Sequence, residues 1–493
     1  MKTRYAILLS LASGSLYFLA FPKWNFGFLA WVALIPLLIA AYGKSSRQVF
    51  ALGFFAGWAA LCGVLYWITP TFQAAGVSTA LGLLSVALLA GYIALYFGAF
   101  ACFYNFVAGR FPQFALILAS AAWVALEWAR NYLFGGFPWG SLAYSQWQYW
   151  PLIQISEFTG FYGVSFILCA VNIFLYESAA SRQIRRHNFG LICTFLALNL
   201  WAFQGEKSHA PSPEALGVKT IVLQGNIDQY QKWNDEYVES ILDVYESLLK
   251  SVPSTDLIIW PETALPGWIP NDPKILAWAQ ERVRKSGTYH LIGAVTEDGA
   301  SNYNSAFLFS PDGNIVGRYD KMHLVPFGEF VPAKTLLGRW ISVLNDLGGF
   351  NGGRPGQILE HPQAKIGAGI CYESVFPEIA RAQVKSGAEI LVNITNDGWY
   401  LDTAAPEQHF AMNVFRSVEN RRTLVRAANT GISGLIAPSG KVLERTGLGE
   451  RTFFEARVVK RKDLHLFTRA GDWFPILCAI MALAGLFIKR KMT

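Results

Sequence analysis

The stretch KIGAGICYESVFP, residues 365–377, decides how the rest of the chain is interpreted. Its beginning, Lys365–Ile370, predicts a short buried strand, because a run of small and apolar residues ends abruptly at polar ones. The break falls at Cys371, two residues before the carboxylate Glu373. The other five cysteines lie in apolar runs, whereas Cys371 lies in the polar region between those runs. Since folds present nucleophiles at strand ends, Cys371 is the first candidate catalytic residue.

The composition indicates a membrane protein with a large polar domain. The 493 residues are 53% hydrophobic and include 17 Trp, and the net charge is only +7. Apolar runs fill residues 1–203 and resume at Trp473–Ile488. We therefore expect a membrane domain at 1–203, a catalytic domain at 204–472, and a last span with its tail at 473–493. The modest charge argues against a nucleic-acid partner, and no cysteine spacing indicates disulfides or zinc ligands.

Eight segments approach the length of about 20 apolar residues that a bilayer-spanning helix needs. The first has the charged start of a signal peptide, but another apolar segment follows at once, so we interpret it as a retained helix. The predicted spans are Tyr5–Ala20, Phe26–Ala41, Phe50–Ile68, Ala80–Val107, Phe114–Trp128, Ile155–Tyr176, Phe189–Phe203 and Trp473–Ile488.

Orientation follows from the distribution of Lys and Arg in the short flanks of these spans. One set of flanks is rich in both residues, whereas the opposite short loops hold only Lys23 and Arg130. Positive flanks stay in the cytoplasm, so both termini are expected there. An odd number of spans before residue 204 then places the catalytic domain outside, which is the periplasm if the cell is Gram-negative.

The segment LEWARNYLFGGFPW, residues 126–139, differs from a simple lipid-facing helix. Glu127 and Arg130 lie one helical turn apart and can pair, and two glycines with Pro138 then break the helix among aromatic residues. One interpretation is a tilted helix end with an interfacial aromatic belt. The other is part of a pocket at the outer membrane face that admits a lipid.

The region 204–472 predicts an α/β domain with a mixed sheet, because strands alternate with helices and hairpins. The sequence PDGN at 311–314 is typical of a hairpin turn. Helices are expected at Asn234–Ser251, Pro273–Ser286, Val375–Ser386 and Glu407–Arg421, and strands at Val218–Leu223, Asp256–Trp260, His290–Val295, Ser305–Phe309, Ile315–Tyr319, Lys365–Ile370, Glu389–Ile394, Leu424–Ala428, Ser433–Ala437 and Lys441–Glu444.

Three of these strands end in reactive side chains: Glu262, Lys321 and Cys371. A thiol attacks as a thiolate, so Cys371 needs a base, which is either a carboxylate with a pKa raised by burial or a histidine, His323 or His409. A nearby lysine would stabilise the thiolate and the oxyanion of a tetrahedral intermediate. Taken singly, each residue also has a structural interpretation: a solvated or capping acid, a turn lysine and a small buried cysteine.

The motifs around these residues resemble the Glu–Lys–Cys motifs of the nitrilase superfamily: WPET at 260–263, YDKMHLVPFGEFVP at 319–332 and GICYESVFP at 369–377. With eight predicted spans, the chain is similar to the apolipoprotein N-acyltransferase family. LEWARNYLFGGFPW, QGNIDQYQKW at 224–233, and NITNDGWY with APEQH within 393–409 also resemble that family. The resemblance covers essentially the whole chain. Its departures are minor: Tyr400 and Leu401 stand where Phe and Gly are expected.

The resemblance implies a multi-pass α-helical membrane domain of about eight spans and a nitrilase-like α-β-β-α sandwich. It implies that Glu262 is the general base, Cys371 the nucleophile, and Lys321 the group that stabilises the thiolate and the oxyanion. Glu329 would be a second carboxylate that orients the lysine or shuttles protons. The backbone N–H of Tyr372 would complete the oxyanion site, with Tyr372 and Glu373 as supporting residues. Glu329, Tyr372 and Glu373 each also have a purely structural interpretation.

Substrate contacts are expected from aromatic residues beside the site. The resemblance implies that Trp233, Trp399 and the loop Thr335–Gly353 shape the entrance for lipid. The apolar part of that loop predicts an amphipathic lid that touches the membrane, or alternatively a packed surface helix.

The resemblance also implies a reaction. Cys371 would take a fatty acyl chain from a phospholipid, the sn-1 chain of phosphatidylethanolamine, as a thioester. The N-terminal amino group of a diacylglyceryl-cysteine on an apolipoprotein would then attack that thioester, in two-step covalent catalysis without metal or cofactor. Two other classes stay open: a membrane-tethered amidase or nitrilase hydrolase with water as the acceptor, and a transporter or lipid-binding scaffold with a degenerate enzyme domain.

Overall fold

The chain forms two compact units in the computed structural model, which describes residues 2–181, 186–208, 217–232, 234–326, 328–330 and 349–487. The first unit is built from residues within 1–209, 400–419 and 470–493. The second unit is built from residues within 210–399 and 420–469. Residues 400–419, which we call the inserted segment, therefore interrupt the second unit in sequence but belong to the first.

The first unit is helical, as the apolar composition of its sequence predicts. Its described helices are α1 (Thr3–Leu19), α2 (Ile35–Ala41), α3 (Ser46–Val64), α4 (Ile68–Ala74), α5 (Thr79–Arg110), α6 (Ala115–Tyr132), α7 (Ser156–Thr159), α8 (Tyr162–Ser181), α9 (Arg186–Ser208), α13 (Ala405–Asn420) of the inserted segment and α15 (Trp473–Phe487). The remaining helices are described below with the second unit.

Three described helices are long and apolar enough to cross a membrane: Ser46–Val64, Thr79–Arg110 and Tyr162–Ala180. The prediction of eight spans is therefore supported only in part. Two of the predicted spans are interrupted. Phe26–Ala41 divides into a 3₁₀ turn, Gly27–Trp31, and the short α2, while Ile155–Tyr176 breaks at Gly160 between α7 and α8.

The inserted segment is bound into the first unit by buried polar side chains. Gln408 of α13 accepts hydrogen bonds from the indole N–H groups of Trp67 and Trp139, at 3.3 and 2.6 Å. Its amide nitrogen donates to the carbonyl oxygens of Pro22 and Val64, at 2.8 and 3.1 Å. One glutamine side chain thus satisfies backbone and side-chain groups from several separate stretches of the first unit.

The second unit contains two six-stranded sheets. The strands are β1 (Val218–Gln224), β2 (Leu257–Ile259), β3 (Tyr289–Asp298), β4 (Ser301–Phe309), β5 (Ile315–Asp320), β6 (Leu359–His361), β7 (Ala364–Ile370), β8 (Ile390–Thr395), β9 (Leu424–Ala428), β10 (Gly434–Ile436), β11 (Val442–Arg445) and β12 (Thr452–Val458). The first sheet has the order β12-β1-β2-β3-β4-β5, and the second has the order β11-β10-β9-β8-β7-β6.

The two sheets share one apolar core, to which Val222 and Ile259 contribute from the first sheet and Ile366 and Val392 from the second. The opposite face of the first sheet packs on helices α10 (Val238–Lys250) and α11 (Pro273–Ser286). Helix α12 (Pro377–Lys385) lies against β7 of the second sheet, and α14 (Leu466–Ala470) follows the last strand. Helices on sheets that pack face to face form the predicted nitrilase-like arrangement.

Strand direction places the candidate residues. β2 and β3 are parallel, and β4 is antiparallel to both β3 and β5, so β2 and β5 end at the same edge of the first sheet. β7, β8 and β9 are parallel to one another and likewise end at one edge of the second sheet. The residues that follow β2, β5, β7 and β8 are Glu262, Lys321, Cys371 and Asn396.

Candidate active site

Glu262 lies three residues beyond the end of β2, and its carboxylate contacts two hydrogen-bond donors and one cation. Its Oε1 accepts a hydrogen bond from Asn304 Nδ2 at 2.7 Å, and its Oε2 accepts one from the backbone N–H of Asn396 at 2.7 Å. Lys321 Nζ lies 3.6 Å from Oε1. Burial raises the pKa of Glu262 above its ordinary value, although the charge of Lys321 opposes this. A buried carboxylate with a raised pKa in a fixed position is suited to accept a proton.

Lys321 is almost fully buried directly after β5, where its ammonium group lies 2.7 Å from Glu329 Oε1. Burial lowers the pKa of Lys321, but the carboxylates of Glu329 and Glu262 outweigh this effect and raise it. The lysine is therefore a fixed cation at neutral pH. Asn304 Nδ2 also donates to Glu329 Oε1 at 3.2 Å, so one amide group joins both carboxylates. Glu329 Oε2 accepts a further bond from the backbone N–H of Val325.

Cys371 begins the 3₁₀ turn Cys371–Val375 directly after β7 and has a φ of +53°. A non-glycine residue rarely adopts this left-handed conformation, so the surrounding structure must hold the thiol in place. Burial raises the pKa of the Cys371 thiol, the charge of Glu262 raises it further, and the charge of Lys321 lowers it. The charges of both predicted partners thus act on the thiol. Because burial raises its pKa, Cys371 needs a base to remove its proton before it can attack.

Glu373 supports the turn after β7. Its carboxylate accepts hydrogen bonds from the backbone N–H groups of Ile370 and Met322, at 2.7 and 2.6 Å, and from Tyr319 Oη at 2.9 Å. Burial raises the pKa of Glu373 to about 7, while the N–H donors lower it. Through these bonds Glu373 joins the end of β7 to the end of β5.

The neighbouring Tyr372 is buried and packs its ring against Phe376, with ring centroids 5.1 Å apart. His323, one of the two histidines considered as a base, packs closely on the same Phe376 ring, at 3.7 Å. The other histidine, His409, belongs to the inserted segment of the first unit, where it lies against Trp139. Both histidine rings thus pack on aromatic rings, whereas the Glu262 carboxylate lies beside the Lys321 ammonium group.

Sequence reasoning missed several polar residues behind the nucleophile. Arg426 of β9 and Asp397 form an ion pair of 2.8 Å in which neither side chain is exposed. Arg426 Nη1 also donates to Asn393 Oδ1 at 2.6 Å, and Asn393 Nδ2 donates to the carbonyl oxygen of Cys371 at 3.4 Å. Thr395 Oγ1 donates to Asp397 Oδ1 at 3.1 Å and also bonds the Cys371 thiol, which lowers the pKa of the thiol. Three of these residues, Asn393, Thr395 and Asp397, lie in the quoted motif NITNDGWY, of which only Trp399 had an assigned role.

Lys232 and Asn304 were also missed. Lys232, at the end of the motif QGNIDQYQKW, is buried and donates to the backbone carbonyl oxygen of Glu262 at 3.1 Å. Asn304 lies inside β4, where an amide side chain gives no sign of function in sequence. Trp399 is 42% exposed and lies near the ring of Tyr230, at 6.4 Å. Trp233 and most of the predicted lid, 335–353, lie outside the described residues.

The geometry permits nucleophilic acyl chemistry. Three strand ends deliver a buried acid, a buried cation and a strained thiol to one place, and two amide groups fix the acid. Glu262 can accept the thiol proton, and the ammonium of Lys321 can then stabilise the thiolate and a later oxyanion. Among the described residues, no cluster of three or more His, Cys, Asp or Glu side chains is arranged to hold a metal ion.

Comparison with known proteins gives two family matches. Residues 13–174 match the model of the apolipoprotein N-acyltransferase N-terminal domain, and residues 222–460 match the model of carbon-nitrogen hydrolases. The second match covers the two sheets and all three predicted catalytic residues.

Relatives match along almost the whole chain. The apolipoprotein N-acyltransferase of Geobacter metallireducens is 38% identical over 98% of this chain and 95% of the relative. That of Methylococcus capsulatus is 32% identical over 99% of this chain and 96% of the relative. Among solved structures, a variant of the amidase from Nesterenkonia sp. AN1 is 18% identical, covers 52% of this chain and 96% of its own, and has a TM-score of 0.39.

Proposed function

Because the chain belongs to the apolipoprotein N-acyltransferase family, we propose that it transfers a fatty acyl chain from a phospholipid to the N-terminal amino group of a diacylated apolipoprotein. The acyl chain would pass through a thioester on Cys371. The donor is phosphatidylethanolamine and the acceptor amine is that of a diacylglyceryl-cysteine. The product is an apolipoprotein with three acyl chains.

In the first half-reaction, Glu262 accepts the thiol proton and the sulfur of Cys371 attacks the ester carbonyl of the phospholipid. The oxyanion that forms is stabilised by the ammonium of Lys321 and the backbone N–H of Tyr372. The bond from the carbonyl carbon to the glycerol oxygen then breaks, and Glu262 returns its proton to that oxygen. A lysophospholipid leaves, and the acyl chain stays on sulfur.

In the second half-reaction, the amino group of the apolipoprotein attacks the thioester carbonyl. Glu262 accepts a proton from the attacking amine, the same cation stabilises the second oxyanion, and the carbon–sulfur bond breaks. The products are an amide and the Cys371 thiolate, which takes up the proton from Glu262. Glu329 keeps Lys321 in place through both steps, which supports its predicted role in orienting that lysine.

The observation that carries this proposal is the buried cluster at the ends of β2, β5 and β7. Lys321 Nζ lies 3.6 Å from Glu262 and 2.7 Å from Glu329, and the charges of both Lys321 and Glu262 act on the Cys371 thiol. Burying two carboxylates and a cation is costly unless they are paired and hydrogen-bonded. A purely structural core would not require this arrangement beside a strained cysteine.

A membrane location fits substrates that are both lipids, because removing their acyl chains from a bilayer is unfavourable. We place the protein in a bacterial inner membrane, with the catalytic domain in the periplasm and both termini in the cytoplasm. The three long apolar helices and the distribution of Lys and Arg support this. A periplasm-dependent reporter fused after residue 493 should be inactive, and an active reporter would overturn this orientation.

The reaction is tested with purified protein, labelled phospholipid and a synthetic diacylated lipopeptide. The expected products are lysophospholipid and N-acylated peptide in equal amounts. Release of free fatty acid with no N-acylated peptide would instead identify a hydrolase. Parallel incubations with phosphatidylethanolamine and phosphatidylglycerol test the proposed head group.

The thioester is tested separately by mass spectrometry of the protein incubated with phospholipid alone. An added acyl mass is expected on the peptide that contains Cys371. Cys371→Ala and Cys371→Ser should carry no thioester and should show no transfer, because neither can form an acyl–sulfur bond. Cys193→Ser is the matched control, since Cys193 is exposed on α9 and should not affect transfer.

A further inference from the structure

Lys232 lies beside the predicted base but has no role in the reaction described above. It lies within the loop between β1 and α10, and it is 5% exposed. Its ammonium group donates to the carbonyl oxygen of Glu262 at 3.1 Å and to Thr263 Oγ1 at 3.3 Å. Among the described residues, no carboxylate lies within ion-pair distance of Lys232, in contrast to Lys321.

Burying an ammonium group with only neutral acceptors is unfavourable, and this cost appears as a lowered pKa of Lys232. Burial lowers the pKa of Lys232 to about 7, while the charge of Glu262 opposes this. Methionine would fill the same space without the desolvation cost, so packing alone does not require a lysine here. The charge and its hydrogen bonds must therefore be considered as functional properties.

The hydrogen bonds of Lys232 fall on a strained turn. Thr263, the residue after Glu262, has a φ of +45°, which is a rare conformation for a β-branched residue. Lys232 donates hydrogen bonds to the carbonyl oxygen of Glu262, directly before this residue, and to the hydroxyl of Thr263 itself. The lysine therefore stabilises the backbone that aims the Glu262 carboxylate.

The same loop contacts the Glu262 site a second time. Gln229 Oε1 accepts a hydrogen bond from Asn396 Nδ2, and the backbone N–H of Asn396 holds Glu262 Oε2. The loop from β1 thus contacts the backbone of Glu262 directly and its carboxylate through Asn396. Lys232 directly precedes Trp233 in sequence, for which the family resemblance implies a contact with substrate.

The charge of Lys232 also acts on Glu262. The titratable groups that influence Glu262 are Lys321 after β5, Glu329 in the following loop, Lys232 after β1, and Cys371 after β7. Lys232 lowers the pKa of Glu262, and Glu329 raises it. Because Lys232 is protonated below about pH 7, its charge is present over the range in which a carboxyl group with a raised pKa ionises.

We propose that Lys232 is a positioning residue for the general base: it holds the Glu262–Thr263 turn through hydrogen bonds and keeps the Glu262 carboxylate ionised through its charge. This inference rests on the proposed function, in which Glu262 accepts the proton of Cys371. It assigns the loop between β1 and α10 a part in acyl transfer that is separate from any contact with lipid.

The test is the pH dependence of kcat/KM for thioester formation, measured from pH 4.5 to 9 in the full-length protein. Activity should rise with pH as Glu262 ionises. Lys232→Gln retains a hydrogen-bond donor but loses the charge. The midpoint of the acidic limb of the kcat/KM profile should therefore rise by about half a pH unit to one pH unit, and the maximal kcat/KM at higher pH should stay nearly unchanged. Lys232→Met loses both, so the limb should move equally and the plateau should fall about tenfold.

Lys219→Gln is the matched control, because Lys219 is an exposed lysine on β1, and its acidic limb should stay at the wild-type position. If Lys232→Met does not fold, the comparison of Lys232→Gln with the wild type still decides. An acidic limb that does not move in Lys232→Gln overturns the inference. Wild-type thioester formation in Glu262→Gln would remove Glu262 as the base, on which this inference rests, whereas a wild-type protein that forms no thioester with phospholipid would overturn the proposed function itself.

Discussion

The carboxylate of Glu373 is surrounded by hydrogen-bond donors. The backbone N–H groups of Ile370, Met322 and His323 and the hydroxyl of Tyr319 all point at its two oxygens. Because the donors come from β7, β5 and the loop that follows β5, this carboxylate determines how the Lys321 and Cys371 strand ends meet. We therefore expect Glu373 to position these two strand ends. This expectation comes from the geometry of its hydrogen bonds, which a sequence motif does not display.

Glu373→Gln should lower acyl transfer at least tenfold. The amide NH₂ of glutamine must replace one carboxylate oxygen, so it faces a backbone N–H group and leaves that donor buried without a partner, at a cost of about 1–3 kcal/mol. Thioester formation and thermal unfolding are measured in parallel. Glu360→Gln, at an exposed carboxylate that pairs with Lys365, is the control and should change neither. Equal activity of the two variants would show that Glu373 does not position the site.

Gly293 on β3 allows the turn that carries Glu262 to pass close to the sheet. A Cβ at this position would lie 2.3 Å from the carbonyl oxygen of Pro261 and 2.7 Å from Glu262 Cα. Gly293→Ala should therefore displace Glu262 and reduce kcat/KM at least about tenfold, since a shift of about 1 Å can cost up to 100-fold. Gly369→Ala on β7 is the control, because the nearest atom to its Cβ would be 3.9 Å away. Comparable losses in both variants would contradict this explanation.

The sequence located the residues at strand ends but not those that hold them. Glu262, Lys321 and Cys371 each follow an apolar run, which makes them visible, and the structure places them together. Asn304 lies within β4, and Lys232 lies within the loop between β1 and α10. Their partners are distant in sequence, so composition and periodicity contain no sign of the contact.

At the scale of elements, β8 and β9 are joined by a buried ion pair as well as by backbone hydrogen bonds. Arg426 of β9 reaches Asp397 at the end of β8, and its other nitrogens bond Asn393 and the carbonyl oxygen of Ile432. These contacts fix the loop that supplies Asn396 to Glu262. The parallel strands thus place their polar groups at the edge where Cys371 lies.

Arg426→Met should destabilise the protein by about 3–5 kcal/mol, because it leaves Asp397 charged and buried without its partner. Adding Asp397→Asn should recover part of this loss. Thermal and denaturant unfolding of the two single variants and the double variant give the coupling between them. Lys365→Met is the control, since its ion pair with Glu360 is exposed and should contribute no more than about 1 kcal/mol. Simple additivity at Arg426 and Asp397 would contradict the pairing.

Most elements of the second unit were predictable, and the exceptions have a common reason. Pro273–Ser286 was predicted with its observed bounds, and Gly313 in the PDGN turn has the positive φ, +81°, that a hairpin turn uses. Two strands, β6 and β12, were missed. β6 has only three residues, and β12 carries the alternating, partly exposed pattern of an edge strand, TFFEARV. Edge strands bury less apolar surface, so their sequence signal is weak.

At the scale of the whole molecule, the division into two units does not follow the order of the sequence. The apolar runs at both ends of the chain predict the helices of the first unit. The inserted segment has a mixed composition and reads as part of an α/β domain, yet its residues 400–419 belong to the first unit. Buried polar contacts bring it there, as in the hydrogen bond that Arg416 Nη2 donates to Tyr144 Oη at 3.2 Å.

Gln408→Leu tests this arrangement. It should lower the thermal unfolding temperature in detergent by at least about 5 °C, because it removes four hydrogen bonds and leaves the indole N–H groups of Trp67 and Trp139 without their acceptor. Gln363→Leu, at an exposed position in the second unit, is the control and should change the temperature little. Tryptophan fluorescence should shift only in the first variant. An unchanged unfolding temperature in Gln408→Leu would show that these bonds do not stabilise the first unit.

The inserted segment also determines the order in which the protein can mature. The ribosome makes α1–α9 first, but Trp67 and Trp139 meet Gln408 only after β1–β8 have been synthesised. Trp128 and Tyr132 of α6 donate hydrogen bonds to Asp472, which is synthesised later still, directly before the last helix. The helices that are synthesised first are therefore the last to complete their hydrogen bonds. A nascent chain that stops before residue 400 lacks both Gln408 and Asp472, so these helices would lack the contacts that join them to the rest of the first unit.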